Sequence, residues 1–165
     1  MSNREGLNCL YQSINGKLWF NQTNWLSEKP ISKWYGITID EAGHAKEINL
    51  NNNRLAGILP EDSVLKYFHS LKVLALSSNI MYGSIPSSIK YFYSLTCLDL
   101  SWNKFTGEIP TELEFLQELK ILRLDNNLLS GKLPNYLNKF KNLRCLNLSN
   151  NQFEGISYFI QINNK

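Results

Sequence analysis

The sequence predicts an α/β solenoid, a stack of coils that each contribute one short strand and one short helical return, closed at the N-terminus by a helical cap. Three observations predict it. Leu71, Leu74, Leu76 and Asn79 recur in register as Leu95, Leu98, Leu100 and Asn103, then Leu119, Leu122, Leu124 and Asn127, then Leu143, Leu146, Leu148 and Asn151, an interval of 24 residues. Ile48, Leu50 and Asn53 open the series as a fifth copy. Each copy is punctuated by a glycine and then, in the first four, by an apolar residue and proline. The first 44 residues stand outside this period and hold Trp19, Trp25 and Trp34, three of the chain's four tryptophans.

The elements follow in chain order. Residues 1–44 are expected to form the N-terminal cap. Ser2 and Glu5 read as a capping box, Leu7, Leu10, Tyr11 and Ile14 recur at helical spacing, and Asn15-Gly16 reads as a stop. A helix over about 3–15 results. A solenoid end exposes its apolar interior and needs a cover, so Trp19, Trp25 and Trp34 are expected to pack on the first coil; the alternative is a Trp-lined ligand site.

Residues 45–155 are expected to form five coils. In each, the Leu-x-Leu segment alternates as a half-buried strand does. After the asparagine come an apolar residue (Leu55, Met81, Phe105, Leu129, Phe153) and a glycine two positions on (Gly57, Gly83, Gly107, Gly131, Gly155). Leu59-Pro60, Ile85-Pro86, Ile109-Pro110 and Leu133-Pro134 lead into return segments whose apolar residues lie three apart, as helical turns require. The asparagines Asn53, Asn79, Asn103, Asn127 and Asn151 carry both donors and an acceptor, which suits them to satisfy backbone groups at a sharp bend and to bond from coil to coil. The first repeat is two residues longer, with the extra pair within Glu61-Asp62-Ser63-Val64. Residues 156–165 depart from the pattern and are expected to close the far end.

Composition sets the class. Hydrophobic content of 43% and charged content of 19% describe a globular chain, and 165 residues suffice for one substantial core. A net charge of +3 without a Lys/Arg run argues against nucleic acid. No stretch approaches the ~18 apolar residues of a membrane span. Met1-Ser2-Asn3-Arg4-Glu5-Gly6 contains no apolar leader segment. Cys97 and Cys145 occupy the same repeat position two coils apart. At about 4.8 Å per coil they lie roughly 10 Å apart, beyond the ~7 Å Cα limit of a disulfide. Free thiols favour a reducing compartment, and a cytoplasmic location is the expectation. The alternative is secreted or cell-surface, for which the sequons Asn21-Gln-Thr23 and Asn147-Leu-Ser149 speak.

The full repeat, Leu-x-x-Leu-x-Leu-x-x-Asn-x-Leu-x-Gly-x-Ile-Pro, is the leucine-rich-repeat signature. Over residues 45–155 it resembles the plant-specific class of these repeats, found in receptor-like kinase ectodomains and polygalacturonase-inhibiting proteins. Residues 5–38 resemble the N-terminal cap of such proteins in Leu10-Tyr11, Asn15-Gly16, Trp19, Asn24-Trp25 and Trp34-Tyr35-Gly36-Ile37. The extracellular plant caps usually carry a cysteine pair near the Trp-x-Gly element; here no cysteine stands there. The resemblance implies a right-handed curved solenoid with the parallel sheet on its concave face, short 3-10 or α turns on its convex face, and a second short strand per coil near the Gly/Pro turn.

Function is then read from the residues flanking each Leu-x-Leu, which are expected to face outward on the concave sheet. The candidate partner-binding residues are Glu47, Asn49, Val73, Ala75, Ser77, Cys97, Asp99, Ser101, Trp102, Ile121, Arg123, Asp125, Asn126, Cys145 and Asn147. Val73, Ala75, Cys97, Ile121 and Cys145 are expected to form one apolar column beside Trp102, either the centre of a protein interface or a row packing along the sheet. Tyr67, Tyr91 and Phe115 share a position on the opposite face, with His69 and Tyr93 beside them. They are expected to stack into a stripe, either for self-association of an otherwise monomeric chain or for local packing.

Enzyme parts are missing. His44 and His69 have no second ligand at metal spacing, no nucleotide or hydrolase motif occurs, and Cys97 and Cys145 have no general base beside them. The reading is a non-catalytic module that binds a protein or peptide on its concave face, with no cofactor, no metal and no nucleic acid. The alternative is a secreted or cell-surface recognition protein of the receptor-ectodomain or inhibitor type. A structural or ice-associated repeat is a third option.

Overall fold

Among the described residues the chain winds as stacked coils around one continuous apolar core. The computed structural model describes residues 2–60 and 64–154, and of 159–160 the backbone alone. Helix α1 (Asn3–Ser13) opens the cap, and Ser2 caps it as expected: its side chain accepts from the Glu5 N–H, and the Glu5 carboxylate accepts from the Ser2 N–H. The helix ends two residues earlier than the spacing predicts, because Ile14 leaves the helical region and Asn15 turns left-handed at φ 54°.

The cap tryptophans are core. Tyr11, Trp19, Trp25 and Trp34 pack edge-to-face, stacked or tilted, with Trp19–Trp25 centroids 4.9 Å apart and Trp25–Trp34 5.1 Å apart. Each indole N–H donates inside the cap, Trp19 to the Ile14 carbonyl, Trp25 to Tyr35 and Trp34 to Lys29. Buried aromatic bodies with satisfied polar handles are packing elements. Gly16 is small by necessity: a Cβ there would stand 2.1 Å from the Tyr11 ring.

Strand β1 (Ile37–Ile39) runs antiparallel to β2 (Ala45–Asn49). Parallel strands β3 (Val73–Ala75), β5 (Cys97–Asp99), β7 (Ile121–Arg123) and β9 (Cys145–Asn147) then add one per coil. Ile48, Leu74, Leu98, Leu122 and Leu146 pair across the ladder, all with their side chains inside. Each contributes about 1.5–3 kcal/mol by leaving water. The backbone of β11 (Phe159–Ile160) pairs antiparallel with β9, so both ends of the parallel sheet carry a reversed strand that takes up edge hydrogen bonds. The remainder of the expected closing segment, like the extra pair of the first repeat and Gly155, lies outside the described residues.

The second strand of each coil is present as the resemblance implied: β4 (Tyr82–Gly83), β6 (Lys104–Gly107), β8 (Leu128–Lys132) and β10 (Gln152–Glu154) form a smaller parallel sheet. The returns are 3-10 turns at Leu65–Phe68, Ser87–Tyr91, Thr111–Phe115 and Asn135–Lys139.

The asparagine ladder holds the coils in register. The Asn103 carboxamide donates to the carbonyls of Leu76 and Leu100 and accepts from the Met81 N–H. Asn79, Asn127 and Asn151 repeat the pattern one coil apart. The bonds run from side chain to the preceding coil's backbone rather than between asparagines. Asn53 makes the equivalent contacts with the cap, accepting from the Asn21 N–H and donating to the Asn21 carbonyl. The cap therefore docks as if it were a preceding coil.

Candidate partner-binding surface

Stacking in register sorts the flanking residues into columns. Glu47, Val73, Cys97, Ile121 and Cys145 pair across the ladder as one column, and Asn49, Ala75, Asp99, Arg123 and Asn147 as the next. Ala75 thus does not belong with Val73, Cys97, Ile121 and Cys145. Residues two apart in a strand share a face but not a column.

A larger correction concerns exposure. Ala75, Asp99, Ser101 and Asp125 were expected to face solvent, but all four are buried. The side chains are short, and neighbours one strand spacing away cover them. Asp99 also turns back on its own bend, accepting from the Ser101 N–H and hydroxyl at 3.1 and 2.6 Å. Asp125 accepts from the Asn126 carboxamide. Arg123 lies over both acids, with its guanidinium 3.6 Å from Asp99 Oδ2 and 3.6 Å from Asp125 Oδ1. Those distances are ion pairs, too long for hydrogen bonds. Asp125 Oδ1 has no hydrogen-bond partner among the described residues.

The exposed members are Trp102, Ile121 and Asn49; Glu47, Val73, Ser77, Cys97, Arg123, Asn126, Cys145 and Asn147 are half-buried. Trp102 is 58% exposed and sits at φ 54°, in the left-handed turn column of Asn52, Ser78, Asn126 and Asn150. Short polar residues take that conformation readily because they can bond locally; a large side chain does not. The Cys97 thiol is held above its ordinary range, first by burial and then by the Asp99 charge. It stays protonated at neutral pH and is a poor nucleophile. All three cysteines are free.

On the convex face the expected stripe does not stack. Among the described residues no ring contact joins Tyr67, Tyr91 and Phe115. Tyr91 packs partly into the core, Phe115 is 56% exposed, and the ammonium groups of Lys66 and Lys90 lie over the Tyr67 and Tyr91 rings at 5.3 and 5.5 Å.

Two constellations escaped the sequence reading. The Asp99–Arg123–Asp125 cluster draws on two coils. His44 and His69 meet edge-to-face at 5.1 Å where the cap joins the first coil, with Asp40 Oδ2 3.6 Å from His44 Nδ1. Counting by repeat rather than by residue would have found both.

Among curated proteins no relative matches. The Leucine Rich Repeat family model matches residues 44–63, 94–116, 118–140 and 142–161. Among solved structures the chain is similar to the BIR3–SERK2 complex from Arabidopsis thaliana, at 33% identity over 93% of this chain and 82% of that chain, with a TM-score of 0.76. It is similar to the BIR2 ectodomain from Arabidopsis thaliana at 26% identity, over 93% and 82% of the two chains, with a TM-score of 0.84. It also resembles PEPR1 in its complex with AtPEP1, at 31% identity over 92% of this chain and 22% of that one, with a TM-score of 0.78. Five coils in register, an asparagine ladder, a second strand beside each Gly turn and a family match over more than half the chain agree: the protein belongs to the leucine-rich-repeat family, in its plant type.

Proposed function

We propose that this chain is a non-catalytic recognition module of the receptor-ectodomain type, which binds a peptide or protein segment along its concave sheet, with Trp102, Ile121 and Arg123 at the centre. The observation that carries the reading is Trp102, exposed at a left-handed position whose equivalents are Asn or Ser. Such a backbone costs of order 1–3 kcal/mol and persists at sites where function needs the side chain. Exposed Trp and Arg are typical anchors of interfaces. Among the rest of the candidate set, Glu47, Asn49, Val73, Ser77, Cys97, Asn126, Cys145 and Asn147 form the rim. The buried Ala75, Asp99, Ser101 and Asp125 shape and position it. The similar structures support the reading: one is the BIR3–SERK2 complex and another PEPR1–AtPEP1.

Peptides selected by display against the protein test this. They should bind Trp102→Asn at least about ten-fold more weakly. Equal binding would sink the concave-face assignment.

The module acts outside the cell in this proposal, in place of the cytoplasmic location that the free thiols suggested, since the relatives include ectodomains. Cys97 is compatible with oxidising surroundings because it is half-buried and its thiol resists ionisation. Glycan at Asn21 in protein from its natural source would support the location; unmodified asparagine at both sequons in every molecule would argue against it. The division into a cap over 1–44, coils over 45–155 and a closing segment over 156–165 is retained as part of the proposal.

A further inference from the structure

The N-terminal ends of the parallel strands, opposite the Trp102 turn, carry a second feature. The residue that follows the first inward-pointing position of each coil is Lys46, Lys72, Thr96, Lys120 and Arg144 in turn. The Lys72 N–H donates to the Lys46 carbonyl at 2.8 Å, which sets these two lysines side by side on adjacent coils. Among the described residues neither is in an ion pair. Both line an open hollow of about 270 Å³, together with His69, Ser70, Tyr93, Ser94 and Asp40.

The balance of charge in that cavity is positive. Lys46 comes from β2, Lys72 from the entry to β3, and Asp40 from the turn after β1. Asp40 is the one acid among the lining residues, and it is engaged: its carboxylate accepts from the His44 N–H at 2.8 Å and faces the His44 ring. His69 packs against His44 and also lines the neighbouring cavity of about 440 Å³, to which Arg4 from α1 and Tyr67 contribute. Arg4 itself is held by the carbonyls of Ser27 and Lys29. Two ammonium groups with no ion pair among the described residues, an imidazole and the hydroxyls of Ser70, Tyr93 and Ser94 surround one hollow whose single carboxylate is already engaged. An oxyanion supplies acceptors and charge together.

We propose that this cavity is an oxyanion site that takes a phosphate or sulfate monoester carried by a partner, held between Lys46 and Lys72 with His69, Tyr93 and Ser94 around it. The site is separate from the concave centre at Trp102 and does not depend on it. Salt weakens the binding.

Titration calorimetry with phenyl phosphate, phenyl sulfate and inorganic phosphate tests the assignment. Both esters should bind the protein, and more weakly as salt is raised. Lys46→Gln/Lys72→Gln should lose at least about ten-fold in affinity, whereas Lys17→Gln/Lys104→Gln, with the same net charge, should lose little. Asp40→Asn should tighten binding. Preference for one ester names the source of the anion. Equal loss in the two lysine pairs would reduce the effect to net charge and overturn the site. Inorganic phosphate binding as tightly as the esters would overturn the partner-borne ligand. Absence of binding in the folded protein would overturn both.

Discussion

Trp102 and Asn103 are adjacent in the chain and belong to two columns with opposite logic. Asn103 is buried in the ladder, where every copy is asparagine and every carboxamide bonds into the preceding coil or the cap. Trp102 belongs to the turn column, where φ stays between 51° and 57° at all five positions while the side chain changes from Asn to Ser to Trp. The ladder is uniform because backbone groups inside a bend need the same partner in each coil. The turn column is free to vary because its side chains point away from that requirement. Uniformity marks architecture here, and departure from the local preference is what the proposed recognition centre rests on.

The largest effect is expected from breaking the ladder. Asn103→Ala strands the Met81 N–H and removes one of two carboxamide donors from the Leu76 and Leu100 carbonyls, which keep Asn79 and Asn127. At about 1–3 kcal/mol for a stranded group, urea unfolding should show a loss of about 2 kcal/mol. A loss below about 1 kcal/mol would mean water replaces the carboxamide and the ladder is not what sets register. Gly57→Ala tests the cap joint. Gly57 has φ 147°, and an added Cβ would stand 2.1 Å from the Ser13 carbonyl oxygen. A loss of about 2 kcal/mol is expected, together with faster amide exchange at Ala56, which donates to Ile14.

Trp102→Asn is expected to move stability the other way, by about +1 kcal/mol, because asparagine accepts the left-handed backbone. A thermal midpoint about 2–4 °C higher would follow; a lower midpoint would show that the indole packs and would weaken its assignment to a partner. The smallest effect lies outside both columns, at Asp40. The His44 N–H donating to its carboxylate holds Asp40 below the usual range. A depressed folded-state pKa contributes stability above the unfolded value of about 3.9 and loses it as pH falls through the folded value. The stability difference between the protein and Asp40→Asn should therefore be small at neutral pH and vanish in strong acid; a difference that grows on acidification would contradict the sign.

The legible part of the fold was the part that repeats. Leu74, Leu98 and Leu122 announce an inward position because the same residue returns once per coil, and the asparagines announce a bend for the same reason. Trp19, Trp25 and Trp34 were legible as cover because a stack must end somewhere. The site was read less well. Asp99, Ser101 and Asp125 alternate with leucines as outward residues do, yet Arg123 and the bends themselves cover them. His44 and His69 looked unrelated 25 residues apart, and that separation is about one turn of the solenoid.

The sequence by itself determined the coil, its inward face and the need for a cap, since each follows from side-chain chemistry recurring at a constant interval. Only the tertiary structure decided which outward residues reach solvent and which charges meet. Those contacts form between coils, where residues a full repeat apart become neighbours at the spacing of one strand. Their outcome depends on the lengths of the particular side chains that fall side by side.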